Sequence, residues 1–344
     1  MIMQYLTWFI FLVFSRDLHH LPTQINSEYI VENQIIYDSL IAQKYDASNP
    51  ERYKHLVDLI GPVLIPNSTF IHTKKTEKEV IYQVEYKIGP FGNREKPFHN
   101  LRAKKHLIFG GESNTFGDGT KLEDTFPYLL ANKYSLFQVY NLGHRGGGPN
   151  NTLALFQHFN LKSYIVEEEG YFFFNLFSDI VLERVIGTKN HTCWDKGRSP
   201  YYKIDDKKLI YKGNFSDRFF VNTFYDFICG NMYLNEWIKN LPRVSDIHYQ
   251  LMAMILKNIE LTYLKFWPKG KFVVVVNHAF ENSYLPLNKQ IIPWLKKYQI
   301  KYVEFPSISY VINRTYKYDQ HLNKNGHFEE FQLFNKLIKD LNTN

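Results

Sequence analysis

Three short stretches of this chain carry side chains able to do chemistry together. A serine follows two glycines and a glutamate at Gly110-Gly111-Glu112-Ser113, an aspartate and a histidine stand two residues apart at Asp319 and His321, and a glycine-rich stretch runs from Leu142 to Gly148. A serine hydroxyl is a poor nucleophile until an imidazole accepts its proton, and the imidazole needs a carboxylate to fix its tautomer and stabilise its charged form. The apolar run Leu107 to Phe109 leads directly into the two glycines. That pattern predicts a strand ending in a tight turn, which would lift the Ser113 hydroxyl clear of the sheet. The backbone amides of a glycine loop after a strand can cradle an oxyanion, a phosphate or a nucleotide, because they serve any anion.

The elements that must position these groups are readable from the pattern. Residues Thr125 to Lys133 predict a helix with Pro127 in its first turn, where a missing N–H costs nothing. Phe137 to Asn141 predicts a strand, followed by a helix opening near Pro149 with Leu153, Phe156 and Phe159 at helical spacing. Tyr171 to Phe177 is a continuous apolar run interrupted by Asn175, as expected of a central strand covered on both faces. Ser245 reads as the cap of a helix to about Leu264, Phe272 to Val276 as a buried strand, Ile291 to Tyr298 as a helix and Tyr302 to Phe305 as a strand. A last helix is expected to turn Phe328, Phe331, Phe334, Ile338 and Leu341 inward. Strands alternating with helices in this way predict an α/β fold, a three-layer α/β/α sandwich on a mostly parallel central sheet. Ligands in such sheets gather beyond the carboxyl ends of the strands, where the turns named above should lie.

Ahead of this domain, residues 16–100 read as a small strand-containing appendage. Helical character is expected around Tyr29 to Lys44, and strands at Leu59 to Pro66 and Ile81 to Tyr86. Val80, Tyr82, Val84 and Tyr86 alternate with Ile81, Gln83 and Glu85, the period of a strand with two different faces. Residues 187–243 form a long insertion rich in Tyr, Lys and Asp, with a short strand-like piece at Lys208 to Tyr211. A stretch of that length is expected to border the active site.

The run from Gly110 to Gly117, followed by DGTKLEDTFPYLL, resembles the first conserved block of the SGNH (GDSL-type) hydrolase superfamily, in the manner of its bacterial extracytoplasmic members. Ser113 falls on the family's serine, with Glu112 in place of the usual Asp. Asn141-Leu142-Gly143 resembles the second block, which implies that the Gly143 amide joins the Ser113 amide in binding an oxyanion. Asp319 and His321, followed by Gly326-His327 and a final helix, match the last block, with Leu322 where Pro is common. At the third block the chain departs: Asp179 stands on the block's Asp, but Ser178 stands where the oxyanion-binding Asn belongs. Asn175 is then the expected third donor, with Asn150 or Asn151 as substitutes, and a buried amide paired with backbone is the plain alternative for Asn175. An extended segment ending in the Gly92-Asn93-Arg94 turn is similar to one that precedes the serine block in extracytoplasmic members. The resemblance covers about residues 101–340 and implies a flavodoxin-like catalytic domain over residues 101–344. It implies a serine esterase in which Ser113 attacks, His321 carries the proton and Asp319 orients it, with no cofactor and no metal. The substrate would be a small ester or an acylated glycan. The alternatives are an O-acyltransferase modifying a cell-envelope or secreted polysaccharide, and a catalytically inactive carbohydrate-binding protein.

Composition narrows the field further. The chain has 344 residues, 44% hydrophobic and 17% aromatic, which excludes global disorder. Cys193 and Cys229 are the only cysteines, so a disulfide-rich scaffold and a four-thiolate zinc site are excluded and one bridge stays open. The glycine stretch is neither GxGxxG nor a P-loop, and no histidine pair has HExxH spacing. His144 and His278 each follow a predicted strand and could line the pocket, whereas His327 reads as structural. The net charge of +7 comes from scattered lysines with no basic block, which argues against a nucleic-acid reader. The first fourteen residues, MIMQYLTWFIFLVF, carry no charge and are short for a membrane span. Residues 1–15 are expected to be a signal peptide or membrane anchor of an exported protein, with a buried N-terminal helix as the alternative.

Overall fold

The computed structural model describes residues 24–31, 34–44, 50–177, 180–238, 240–277, 287–306 and 313–343. In chain order the elements are β1 (Gln24–Val31), β2 (Gln34–Lys44), α1 (Pro50–Ile60), β3 (Thr69–Thr76), β4 (Val80–Lys87) and β5 (Lys105–Gly111). They continue with α2 (Ser113–Phe116), α3 (Phe126–Lys133), β6 (Phe137–Gly143), α4 (Pro149–His158), β7 (Glu169–Leu176), α5 (Ile180–Ile186) and α6 (Lys189–Asp195). The rest are β8 (Pro200–Asp205), β9 (Lys208–Asn214), α7 (Phe219–Cys229), α8 (Met232–Trp237), α9 (Asp246–Phe266), β10 (Lys271–Asn277), α10 (Leu287–Lys297), β11 (Tyr302–Phe305) and α11 (Lys324–Thr343).

Five strands form the central sheet in the order β11-β10-β7-β5-β6, every pair parallel. The chain begins at β5, adds β6 on one side, then crosses to β7 on the other, so the order reverses beside β5. Such a reversal marks the carboxyl end of β5 as the place where open α/β sheets bind their ligands. Period-two alternation divides each strand between two cores. Ile108, Phe172, Phe174, Val274 and Val276 face α4, α5 and α9, while Leu107, Phe109, Phe173, Val273 and Val275 face α3 and α11. The sandwich therefore has the three expected layers.

A separate antiparallel sheet, in the order β1-β2-β3-β4, precedes it. The described residues between Tyr29 and Lys44 are thus strand, not helix: Tyr29 to Val31 pairs with Gln34 to Ile36, and Ile36 to Lys44 pairs with Thr69 to Thr76, a cross-strand pairing that a helical reading ignores. Leu59 to Pro66 is not a strand either: it is the end of α1 and the turn after it. The inward row of β3 and β4 packs Phe70, Val84 and Tyr86 on Phe116 of α2, joining the two sheets through the serine helix. The Gly92-Asn93-Arg94 turn completes the joint: the buried Arg94 guanidinium donates to the carbonyls of Gly117 at 3.3 Å and Thr120 at 3.0 Å, and lies 4.4 Å from the centroid of the Tyr86 ring. In the last helix Phe334 and Ile338 are buried and Phe331 and Leu341 pack partly, but Phe328 is 48% exposed, since it sits off the inward stripe. Among the described residues no helix is long and apolar enough to cross a membrane.

Candidate active site

Strand β5 ends as its sequence predicts, and Gly111 makes the turn. Its φ of 149° suits glycine, and a Cβ there would stand 2.3 Å from Thr115 Oγ1 and 2.9 Å from the Asn175 carbonyl oxygen. Glu112 follows as the N-cap of α2, its carboxylate accepting from the Asn114 amide at 3.3 Å and from Asn114 Nδ2 at 2.8 Å. Ser113 opens the helix, and its own N–H has no acceptor among the described residues, as first-turn amides lack one within a helix.

The loop before α11 supplies the partners. His321 Nε2 lies 2.9 Å from Ser113 Oγ, and His321 Nδ1 lies 2.6 Å from Asp319 Oδ1. The loop is pinned where it meets α2: Leu322 N–H donates to Asn114 Oδ1 at 2.9 Å, and Thr120 Oγ1 donates to the Leu322 carbonyl at 2.9 Å. Residues 208 positions apart thus share one short network.

Buried charges surround the imidazole. Burial favours its neutral form, but Asp319, then Asp118 at 3.8 Å from Nε2 and Glu112, push it up to about 9. Each carboxylate has its own cation: Lys74 Nζ is 2.9 Å from Asp319, Arg145 Nε 2.7 Å from Asp118, and Arg184 Nη1 3.7 Å from Glu112. Although burial works against it, His321 and Lys74 hold the Asp319 carboxyl well below the carboxylate range, and Arg145 and His72 do the same for Asp118. His72 is itself clasped between Asp38 at 2.6 Å and Asp118 at 3.0 Å. With a protonated ring, Nε2–H donates to Ser113 Oγ, and the serine proton points to Glu112 Oε2 at 2.7 Å.

The expected oxyanion donors fare differently. The Gly143 N–H is occupied, donating to Asn141 Oδ1 at 2.9 Å inside β6. Glycine is required there for another reason: a Cβ would stand 2.4 Å from the Phe116 nitrogen, so its absence lets α2 lie against the strand. Asn175 is buried in the row of β7 that faces α11, beside Glu330, whose carboxyl burial pushes up to about 8. Neither side-chain atom of Asn175 has a hydrogen-bond partner among the described residues. Asn150 and Asn151 are committed to structure, donating to the carbonyls of Pro200 at 2.9 Å and Ile60 at 2.8 Å. His144 likewise bonds the Pro62 carbonyl at 2.6 Å, and His327 is buried against Phe126, so both are structural. Ser178, Asp179 and His278 lie outside the described residues.

Sequence reading missed Lys74, Tyr82, Asp118, Arg145 and Arg184. Their signal was present in part: Tyr82 falls on the alternating inward row of β4, and His72 and Lys74 share the buried row of β3. A lysine and a histidine on such a row call for buried anions.

An α/β/α sandwich with a serine at the carboxyl end of its first strand and a histidine and aspartate brought to it from before the last helix is the class that fold and site define. No family model matches the chain, and no curated protein matches it. Among solved structures, the chain is similar to a two-domain esterase active on acetylated mannans, with 13% identity and a TM-score of 0.38 over 71% of this chain and 51% of that one. It is similar to a GDSL-like lipase from Bacteroides ovatus, with 9% identity and a TM-score of 0.38 over 70% of this chain and 55% of the other. It is similar also to an acetyl xylan esterase from Butyrivibrio proteoclasticus, with 10% identity and a TM-score of 0.41 over 70% of this chain and 64% of the other. The chain thus spans about half to two thirds of the length of these proteins.

Proposed function

We propose that this chain is a serine-dependent ester hydrolase of SGNH type. The observation that carries the reading is the hydrogen-bonded line from Ser113 Oγ through His321 to Asp319, at 2.9 Å and 2.6 Å, assembled at the switch point of the sheet. Ser113 Oγ attacks the ester carbonyl as His321 Nε2 takes its proton; the proton then passes to the departing alcohol, leaving an acyl group on Ser113. Water, deprotonated by the same imidazole, releases the acid and restores the serine. Asp319 holds the ring and balances its charge, and the Ser113 N–H, which has no acceptor among the described residues, serves as an oxyanion donor. The substrate is a small ester or an acylated glycan. The pairing of Cys193 with Cys229 supports an exported protein, since such bridges persist in oxidising compartments.

Hydrolysis of p-nitrophenyl acetate and butyrate by the parent, Ser113→Ala and His321→Ala tests the reading. Turnover by the parent, lost by about a thousandfold or more in both variants, supports it. Equal rates in all three overturn it.

A further inference from the structure

Asp319 has two carboxylate oxygens, and the proposed reaction engages one. Oδ1 accepts from His321 Nδ1 at 2.6 Å and from the His321 amide at 3.1 Å. Oδ2 turns toward the N-terminal sheet, where Lys74 Nζ donates at 2.9 Å and the Tyr82 hydroxyl at 3.1 Å. Lys74 and Tyr82 stand opposite one another in the antiparallel register of β3 and β4, both on the inward row. Lys74 is only 6% exposed. Burying an ammonium costs hydration and side-chain freedom, so a lysine on an inward row must meet an anion. Here that anion is Asp319.

We propose that Lys74, seconded by Tyr82, is a positioning residue for ester hydrolysis: the N-terminal sheet holds Asp319 from behind and sets how firmly His321 keeps its proton. This rests on the esterase reading of Ser113, His321 and Asp319. A loop carboxylate held only by the imidazole could turn about its own bonds, whereas two further donors fix its plane. The ammonium also draws negative charge away from the ring. The charged and titratable groups facing His321 are Asp319 on its own loop, Asp118 and Glu112 flanking α2, and His327 on α11. Behind the three carboxylates stand Lys74, Arg145 and Arg184, with Tyr82 beside Lys74 and with His72 and Tyr86 on Asp118. Lys74 acts on the carboxylate that touches the ring.

The test follows the ring itself. In the full-length chain with ring-labelled histidine, the His321 signal is assigned by its loss in His321→Ala and titrated by NMR in the parent, Lys74→Met, Lys74→Arg and Tyr82→Phe. The pH profile of kcat/KM for p-nitrophenyl acetate is measured beside it. In Lys74→Met both midpoints should rise by about one pH unit, lowering kcat/KM at pH 7 about tenfold with KM nearly unchanged. Lys74→Arg should return the midpoints to the parent value, and Tyr82→Phe should raise them by less. A folded Lys74→Met whose His321 titrates as the parent's does overturns the proposal. If Lys74→Met does not fold, a Tyr82→Phe titration indistinguishable from the parent's overturns it instead. Should the parent hydrolyse no ester, the esterase reading fails, while the NMR titration still decides whether Lys74 governs His321.

Discussion

His321 sits among three carboxylates, and its ring keeps a proton up to about pH 9. A general base must be neutral to accept the serine proton. The rate at low substrate should therefore climb with pH through a midpoint near 9, measurable as kcat/KM between pH 6 and 10. Stability should run the other way. The folded ring binds its proton more tightly than the unfolded one, whose pKa is 6.5, so the stabilisation is full below that value and is lost as pH rises through about 9. Denaturant midpoints over the same pH range would show the decline. Removing one negative charge should move the kinetic midpoint down: Glu112→Gln keeps one oxygen to accept from Asn114, turns an amide NH2 toward Ser113 Oγ where the second oxygen stood, and drops an anion beside the ring. A profile that does not shift would mean that Glu112 caps α2 and does nothing to the base. Among single residues, the meeting of Ser113, Asp319 and His321 was legible because a serine after a strand-ending glycine turn and an Asp-x-His pair before the last helix stand out by type and local spacing. Lys74 and Asp118 were not, because their meaning arises only where two sheets meet.

Strands and helices set these residues in place, and the joint between the sheets runs through α2. Arg94 ties the C-terminal end of that helix to the appendage through two carbonyls and the face of Tyr86. Arg94→Ala removes the guanidinium from the Thr120 carbonyl, from the Gly117 carbonyl, which keeps the Thr120 N–H at 3.1 Å, and from the face of Tyr86, and should cost about 3 kcal/mol, read as a lower denaturant midpoint. A loss of a few tenths would show that the joint holds without it. Element reading succeeded where one period dominates, as in the apolar run of β10 and the inward stripe of α9. It failed over Tyr29 to Lys44, where the strand pairing of β1 with β2 decided the outcome. It also read Gly143 as an open amide. The Asn141 side chain, two residues away, closes that amide, and no local pattern announces it.

At the scale of the whole molecule, the order of the parallel strands brings the Ser113 turn to the loop carrying Asp319 and His321, and alternation of strands and helices was enough to foresee that layering. The insertion, foreseen as a bordering segment, has its own cross-link between α6 and α7. The Cys193–Cys229 bridge closes a stretch of 36 residues, which loop entropy values at about 4 kcal/mol as an upper figure. Replacing both cysteines by serine should speed tryptic cleavage within the insertion severalfold, while unchanged cleavage would show that packing alone secures it. The most direct test of the central claim is to trap the covalent intermediate: the protein is mixed with p-nitrophenyl acetate, quenched in acid within milliseconds, and its mass and peptides are measured. One acetyl group on the peptide containing Ser113, absent in Ser113→Ala and from every other peptide, is the expected result. Turnover of the ester with no label on Ser113, or a label that persists in Ser113→Ala, would contradict a serine acyl-enzyme at this site.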